Sequence, residues 1–245
     1  MICIILAAGY ATRLYPITEN FPKALLEVKG KSILDWLIDN AHSTGAITRY
    51  VIVSNHKYAA HFHKWAKNSS YNVTVLDNGT NTNETRLGAV RDLWFAVDEL
   101  KLSGNLLVMA GDNLLSFSLS KFIRYSKDKR SSCVMRYKEQ RVEKLRRGGV
   151  ILTDEYDRVI DMQEKPENPL SQWLTPPFYI FTEDDAQSVK DAILDGCATD
   201  APGSFIAWLC KYRTVHAMLM QGNRYDIGDL ESYKKAQREY EGIVN

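Results

Sequence analysis

The chain has 245 residues, 45% of them hydrophobic and 25% charged, with a formal net charge of +1. That is enough ordinary globular sequence for one large core, and the balanced charge excludes recruitment of nucleic acid or an anionic membrane by a whole-molecule field, so an anion site must be local. The four cysteines (Cys3, Cys133, Cys197 and Cys210) form neither a CxxC zinc pair nor a dense disulfide framework, which leads to the expectation of a reducing, cytoplasmic setting.

The apolar run Ile2 to Ala8 is too short to span a membrane and lacks a basic leader; it reads as a buried parallel strand, Ile2 to Leu6, entering a tight loop at Ala7-Ala8-Gly9. Ser32 with Asp35 opens an amphipathic helix from Ile33 to about Ala41. A strand follows at Arg49 to Ser54, a helix capped by Asn55 runs to about Trp65, and a third strand lies near Val73 to Leu76. After the polar loop Asn78 to Asn83, the spacing of Leu87, Val90, Leu93, Trp94 and Val97 predicts a helix, and Asn105 to Ala110 is a strand stopped by Gly111-Asp112-Asn113.

Alternating strands and helices predict an α/β fold, a Rossmann-like three-layer α/β/α arrangement around a mixed, mostly parallel sheet, with ligands beyond the carboxyl ends of the strands. Further on, a capped helix from Ser118, a strand at Cys133 to Tyr137 and a hairpin around Asp154 to Asp157 bring in antiparallel pairing. The proline-rich stretch Glu167 to Pro177 excludes a long element. Beyond it come a strand at Phe178 to Phe181, helices near Ala186 to Leu194 and Ser204 to Tyr212, a strand at Val215 to Leu219 and a last helix from Leu230. The expectation is one domain, residues 1–115 mainly serving a nucleotide and residues 116–245 mainly an acceptor.

The loop Leu6-Ala7-Ala8-Gly9-Tyr10-Ala11-Thr12-Arg13 is the most informative segment. Its small residues let backbone N–H groups approach phosphate oxygens, Arg13 adds a planar fork of donors, and Lys23 brings a second positive charge. The spacing fits neither a P-loop nor a dinucleotide-binding GxGxxG. Asp112, delivered by an apolar strand through Gly111, is the first candidate for a magnesium ligand, since hard carboxylate oxygens suit that ion.

Taken together, LAAGYATRLYP and the following PKALLEV resemble the double signature of the sugar-phosphate nucleotidyltransferases, LAAGxGTRLxPxT and PKxLxxV, with Ala11 standing where the family usually has a second glycine. The resemblance runs through the chain, and it implies partners, a cofactor and a role for each of several residues. The partners are a nucleoside triphosphate and a phosphorylated small acceptor, the cofactor is Mg²⁺, and Arg13, Lys23, Asp112, Lys165 and Asp226 are the catalytic set. Asp112 and Asp226 hold the metal, Asp226 through Tyr225-Asp226-Ile227-Gly228, which is similar to a late W-x-D-x-G element. The nucleotide lies along residues Leu6 to Arg13, Lys23 and Asp112, with Thr85, Gly88 and the Asn81 loop against the base; the acceptor faces Asn113, Glu164 and Lys165 of an EKP element, and Tyr179.

Several alternatives stay open on the sequence. Asp229 suits a helix cap better than a metal site, and Glu164-Lys165 also reads as a surface pair before a turn. Trp173, Phe178 and Tyr179 read equally as acceptor pocket or core. His56, His61 and His63 lack the i, i+4 spacing of a helical zinc site and read as a solvated face, and Arg141, Lys144, Arg146 and Arg147 as an exposed loop. A phosphocholine-type cytidylyltransferase and a non-catalytic nucleotide sensor are the competing classes. The chain is expected to be a monomer or small homo-oligomer, without the appended β-helix or acyltransferase domain of some relatives.

Overall fold

The computed structural model describes residues 1–243. The chain divides into two compact units, each assembled from separate stretches. The first takes Met1–Arg86, Met109–Lys121 and the segment from Gln221 onward; the second takes Leu87–Val108 and Phe122–Met220.

In the first unit the strands Ile2–Leu6, Arg49–Ser54 and Val73–Asp77 lie parallel, with Ile4 opposite Val51 and Ile52 opposite Val75. Cys3, Ile4, Ile5, Val51, Ile52 and Val53 are fully buried, as continuous apolar strands covered on both faces must be. Each such side chain contributes roughly 1.5 to 3 kcal/mol by leaving water. The helix Ile33–Ser43 begins where Ser32 accepts the amide of Asp35, and His56–Lys67 begins where Asn55 accepts that of Tyr58, so both predicted caps are present. Asp229 likewise caps the final helix, Leu230–Glu239, by accepting the amide of Ser232.

Among the short elements of this unit without a counterpart in the sequence reading, two strands matter for the site. Asn113–Leu115 and Arg224–Asp226 form a three-residue antiparallel ladder in which Asn113 faces Asp226. Three residues are too few to show a period of two, and the partners are far apart along the chain, so pattern alone does not reveal them.

The second unit is organised around the strand Ser132–Lys138. Phe178–Phe181 and Trp173–Thr175 pair with it antiparallel, and Val215–Leu219 pairs parallel along its whole length. The predicted hairpin is present as Gly149–Thr153 and Val159–Glu164, with Met162 opposite Ile151. Where one helix is expected at Ala186 to Leu194, two short ones, Glu183–Gln187 and Val189–Leu194, meet at Ser188. Thr182 caps the first, starting it earlier than predicted, and the Ser188 hydroxyl bonds back to the carbonyl of Asp185, which favours a break. Among the described residues no helix is long and apolar enough to cross a membrane.

Candidate active site

The loop after the strand Ile2–Leu6 is held by bonds that leave its shape little freedom. The Ala7 amide reaches the Val53 carbonyl at 2.9 Å, Asn55 Nδ2 donates to the Ala8 carbonyl at 2.9 Å, and Thr18 Oγ1 donates to the Ala11 carbonyl at 2.9 Å. Tyr58 Oη donates to the Thr18 carbonyl at 2.6 Å, fixing the returning strand of the loop as well. Tyr10 is only 3% exposed, and its hydroxyl reaches Thr80 Oγ1 at 3.2 Å, so its side chain anchors the loop while Gly9 stays exposed at the turn.

Ala11 adopts φ 49°, ψ 41°, the left-handed region that glycine enters freely and alanine does not. The position therefore needs the glycine conformation even where this chain has a methyl group, which is the physical content of the departure noted in the motif. The exposed Arg13 guanidinium follows, beside Gly228: a methyl group built on that glycine would stand 3.4 Å from Arg13 Nη2.

Gly111 brings the first carboxylate to this loop. Its amide donates to the Leu6 carbonyl at 2.9 Å, and a Cβ there would lie 3.3 Å from Leu6 O and Ala7 Cβ, closer than most packed methyl contacts. The backbone can approach this closely only without a side chain. The result is a small open cleft bounded by the loop from Leu6 to Ala11, Lys23 with Ala24, and Ala110 to Asp112.

Within it Lys23 Nζ donates to Asp112 Oδ2 at 2.6 Å, and Asn113 Nδ2 donates to Asp112 Oδ1 at 2.5 Å. Burial acts to raise the Asp112 pKa. The Lys23 ammonium outweighs it, helped by Arg224 and by the backbone amide, and holds the carboxyl below its ordinary value.

Asp226 comes to the same place through the short ladder. It pairs with Asn113, and the amide of the next residue, Ile227, donates to the carbonyl of Asp112 at 3.0 Å. Its pKa is displaced upward, by loss of hydration and then by the negative charge of Asp112, against the pull of Arg224, Lys23 and Arg13. Two carboxylates that repel one another at the edge of an open cleft are a donor set that suits a hard divalent cation completing its shell with water or phosphate oxygens. Among the described residues no group of three or more His, Cys, Asp or Glu side chains could hold a metal ion.

The second unit holds the remaining candidates. Glu164 closes its hairpin strand, and Lys165 follows with φ 49°, its amide bonded to the Gly148 carbonyl at 3.0 Å. Lys165 Nζ meets Asp200 Oδ2 at 3.2 Å with both side chains more than half exposed. The Glu164 carboxylate sits against Gly149 and Gly203, where a Cβ would approach it to 3.2 and 2.1 Å, and burial, with the charge of Asp200, raises its pKa against the effect of Lys165.

Gly88 precedes the helix Ala89–Glu99 with φ 90°, and a Cβ there would fall 2.4 Å from the Thr199 carbonyl oxygen. That carbonyl and its neighbour on Asp200 accept the amides of Val90 and Ala89, satisfying donors that a helix start leaves without partners. Tyr179 is 3% exposed and stacks on Phe181, and Phe178 is fully buried, which is the packing alternative for both. Asn81 and Thr85 lie exposed in the first unit, Thr85 in a reciprocal cap with Thr82. His56 and His63 are exposed, His56 pairing with Asp77, and Arg141 is committed to Glu139 at 2.8 Å.

Two residues complete the carboxylate cluster in ways the sequence reading did not foresee. Asn113, expected on the acceptor, is 1% exposed and uses its carboxamide inside the cluster, and Arg224, which was not singled out, donates to both Asn113 and Asp226. Both depend on the undetected ladder, so only its pairing could have pointed to them.

The loop, the lysine and the two carboxylates thus lie together at the ends of neighbouring segments. The model of the family described as nucleotidyl transferase matches residues 2–242, and the chain belongs to that family. It is 28% identical over 247 residues, 97% of this chain and 96% of the relative, to UTP--glucose-1-phosphate uridylyltransferase AglF of Haloferax volcanii. It is 32% identical over 182 residues, 74% of this chain, to a candidate mannose-1-phosphate guanyltransferase of Sulfolobus acidocaldarius, of whose length that match spans 48%. A glucose-1-phosphate adenylyltransferase of Fervidobacterium nodosum is 27% identical over 95% of this chain and 59% of its own length. The structure of a UDP-glucose pyrophosphorylase complexed with UDP-glucose superposes with a TM-score of 0.82 over 98% of this chain and 97% of that one, at 20% identity. The expected α/β three-layer class is thus the fold of the chain.

Proposed function

We propose that the chain catalyses Mg²⁺-dependent transfer of a nucleoside monophosphate from an NTP to a sugar 1-phosphate, releasing pyrophosphate. The observation that carries this reading is the convergence of Asp112 and Asp226 beside Lys23 and the glycine-bearing loop. In the reaction an oxygen of the acceptor phosphate attacks the α-phosphorus in line, the bond to the β-phosphate oxygen breaks, and pyrophosphate departs from the opposite side, with no covalent enzyme intermediate. Little covalent chemistry is asked of the protein, so placement and charge provide the rate.

The loop amides from Ala7 to Thr12 cradle the triphosphate, Arg13 faces the departing phosphates and Lys23 the α-phosphate. Asp112 and Asp226 would hold a magnesium ion, which when bound would neutralise phosphate charge. Lys165 receives the acceptor phosphate, a role supported by its EKP context and by the exposed ammonium, which leaves the Asp200 pair easily exchanged for a stronger anion. Asn81 and Thr85 face the base. The relatives named above carry uridylyl, adenylyl and guanyl chemistry, so family membership by itself selects no base.

A panel pairing each NTP with hexose 1-phosphates and with phosphocholine, scored by pyrophosphate release, tests the proposal. Release with one NTP and a hexose 1-phosphate, and none with phosphocholine, is the expected result. Release only with CTP and phosphocholine would replace the acceptor, and silence across the panel would remove the enzymatic reading.

A further inference from the structure

Arg224 is placed where one side chain touches the machinery of both carboxylates. Its Nη1 donates to Asn113 Oδ1 at 2.9 Å, its Nη2 lies 3.3 Å from Asp226 Oδ2, and its side chain is 17% exposed. Asn113 passes the connection onward, because its Nδ2 donates to Asp112 Oδ1 at 2.5 Å. Only this orientation of the carboxamide works: turned over, it would present N–H to a guanidinium that has no acceptor and oxygen to a carboxylate that has no donor. The guanidinium thereby fixes the amide, and the amide fixes the first carboxylate, while the second arm of the same planar fork fixes the second.

A tryptophan, which the W-x-D-x-G pattern has at this place, carries a single neutral donor and could not serve both acceptors. From this geometry, and resting on the metal reading above, we infer that Arg224 is a positioning residue that orients Asp112 and Asp226 as a pair for the divalent ion, Asp226 directly and Asp112 through Asn113.

A guanidinium beside a cation site repels the ion, so if charge alone mattered its removal would tighten metal binding. Orientation and repulsion therefore predict opposite signs, and the measurement is the affinity of the full chain for Mn²⁺ without nucleotide, followed by the electron paramagnetic resonance of the free ion. Arg224→Met, which keeps length and removes the donors, is expected to weaken binding by about 10-fold to 100-fold, the usual effect of losing an outer partner of a metal ligand. Arg224→Lys, which keeps the charge without the fork, is expected to stay weak. Asn113→Ala is expected to add little to Arg224→Met, because the two act along one chain of bonds.

Thermal melting of each variant separates this from a general loosening, since a positioning role lowers affinity in protein that melts where the parent does. Unchanged or tighter Mn²⁺ binding by folded Arg224→Met, or full recovery in Arg224→Lys, overturns the inference. Asp112→Asn tells the two levels apart: if parent binding does not depend on Asp112, the metal reading fails and this inference with it, whereas dependence on Asp112 without dependence on Arg224 sinks this inference alone.

Discussion

Lys23 and Lys165 each face an aspartate, and the two settings could hardly differ more. Lys23 and Asp112 stand 2.6 Å apart at 17% and 30% side-chain exposure, inside a bonded cluster that continues through Asn113 and Arg224 to Asp226. Lys165 and Asp200 stand 3.2 Å apart with 51% and 56% of their side chains in solvent. The first pair sits where a parallel strand ends against a tight loop, and its geometry is held from several directions at once. In the second, Lys165 follows the end of a hairpin strand with its amide bonded to the Gly148 carbonyl, and the Asp200 carbonyl accepts the amide of Ala89. A partly buried, multiply bonded pair is preorganised and costly to disturb, while an exposed pair contributes about 0 to 1 kcal/mol and gives way readily to a ligand.

The sharpest way to break this comparison is Asp112→Asn. It removes a charge that the cluster is built around, and turnover measured by pyrophosphate release is expected to fall by about 100-fold to 1,000-fold, the usual effect of losing one preorganised charge-stabilising group. Near-parental release would separate the cluster from the chemistry.

Lys165→Met should affect the second region differently. Its melting temperature is expected to match the parent, because an exposed ion pair adds little stability. The acceptor KM should rise about 10-fold or more through loss of a charge-assisted contact worth about 1.5 to 3 kcal/mol. A lowered melting temperature with unchanged KM would reverse the contrast, making Lys165 structural.

Gly88→Ala sharpens the point for the segment that carries Asp200. A methyl group 2.4 Å from the Thr199 carbonyl, on a backbone at φ 90°, is expected to destabilise the protein by about 2 kcal/mol or more in urea titration, combining steric overlap with a strained dihedral. A change below 0.5 kcal/mol, on the order of an ordinary surface substitution, would mean that the capping carbonyls move aside at little expense.

The smallest effect is expected at Ala11→Gly. Relief of the left-handed strain, roughly 1 to 2 kcal/mol, is offset in part by the greater freedom of glycine in the unfolded chain, leaving a gain of under about 1 kcal/mol. Loss of stability would show that the methyl group packs favourably in the loop.

Much of the fold was legible because it is local. The buried parallel strands are continuous apolar runs, and the caps at Ser32, Asn55 and Asp229 are short-range bonds between neighbours in sequence. The tight loop after the first strand was legible for a similar reason: a left-handed turn after a strand favours small residues, and Ala11 holds that conformation even without the glycine. What hid the bond between Asn113 and Arg224 from the sequence is equally physical. Their bond joins residues 111 positions apart, through strands of three residues that carry no periodic signal.

By itself, then, the sequence determined where most of the longer strands and helices lie and that Asp112 follows a buried strand, since propensity, periodicity and capping act over a few residues. Only the tertiary structure decided that Asp226 lies opposite Asn113, that Arg224 spans both carboxylates, and that Gly88 must yield to the Thr199 carbonyl. Those contacts depend on which distant segments are brought together, and hydrogen-bond directions and steric gaps between such segments exist only once the chain has folded.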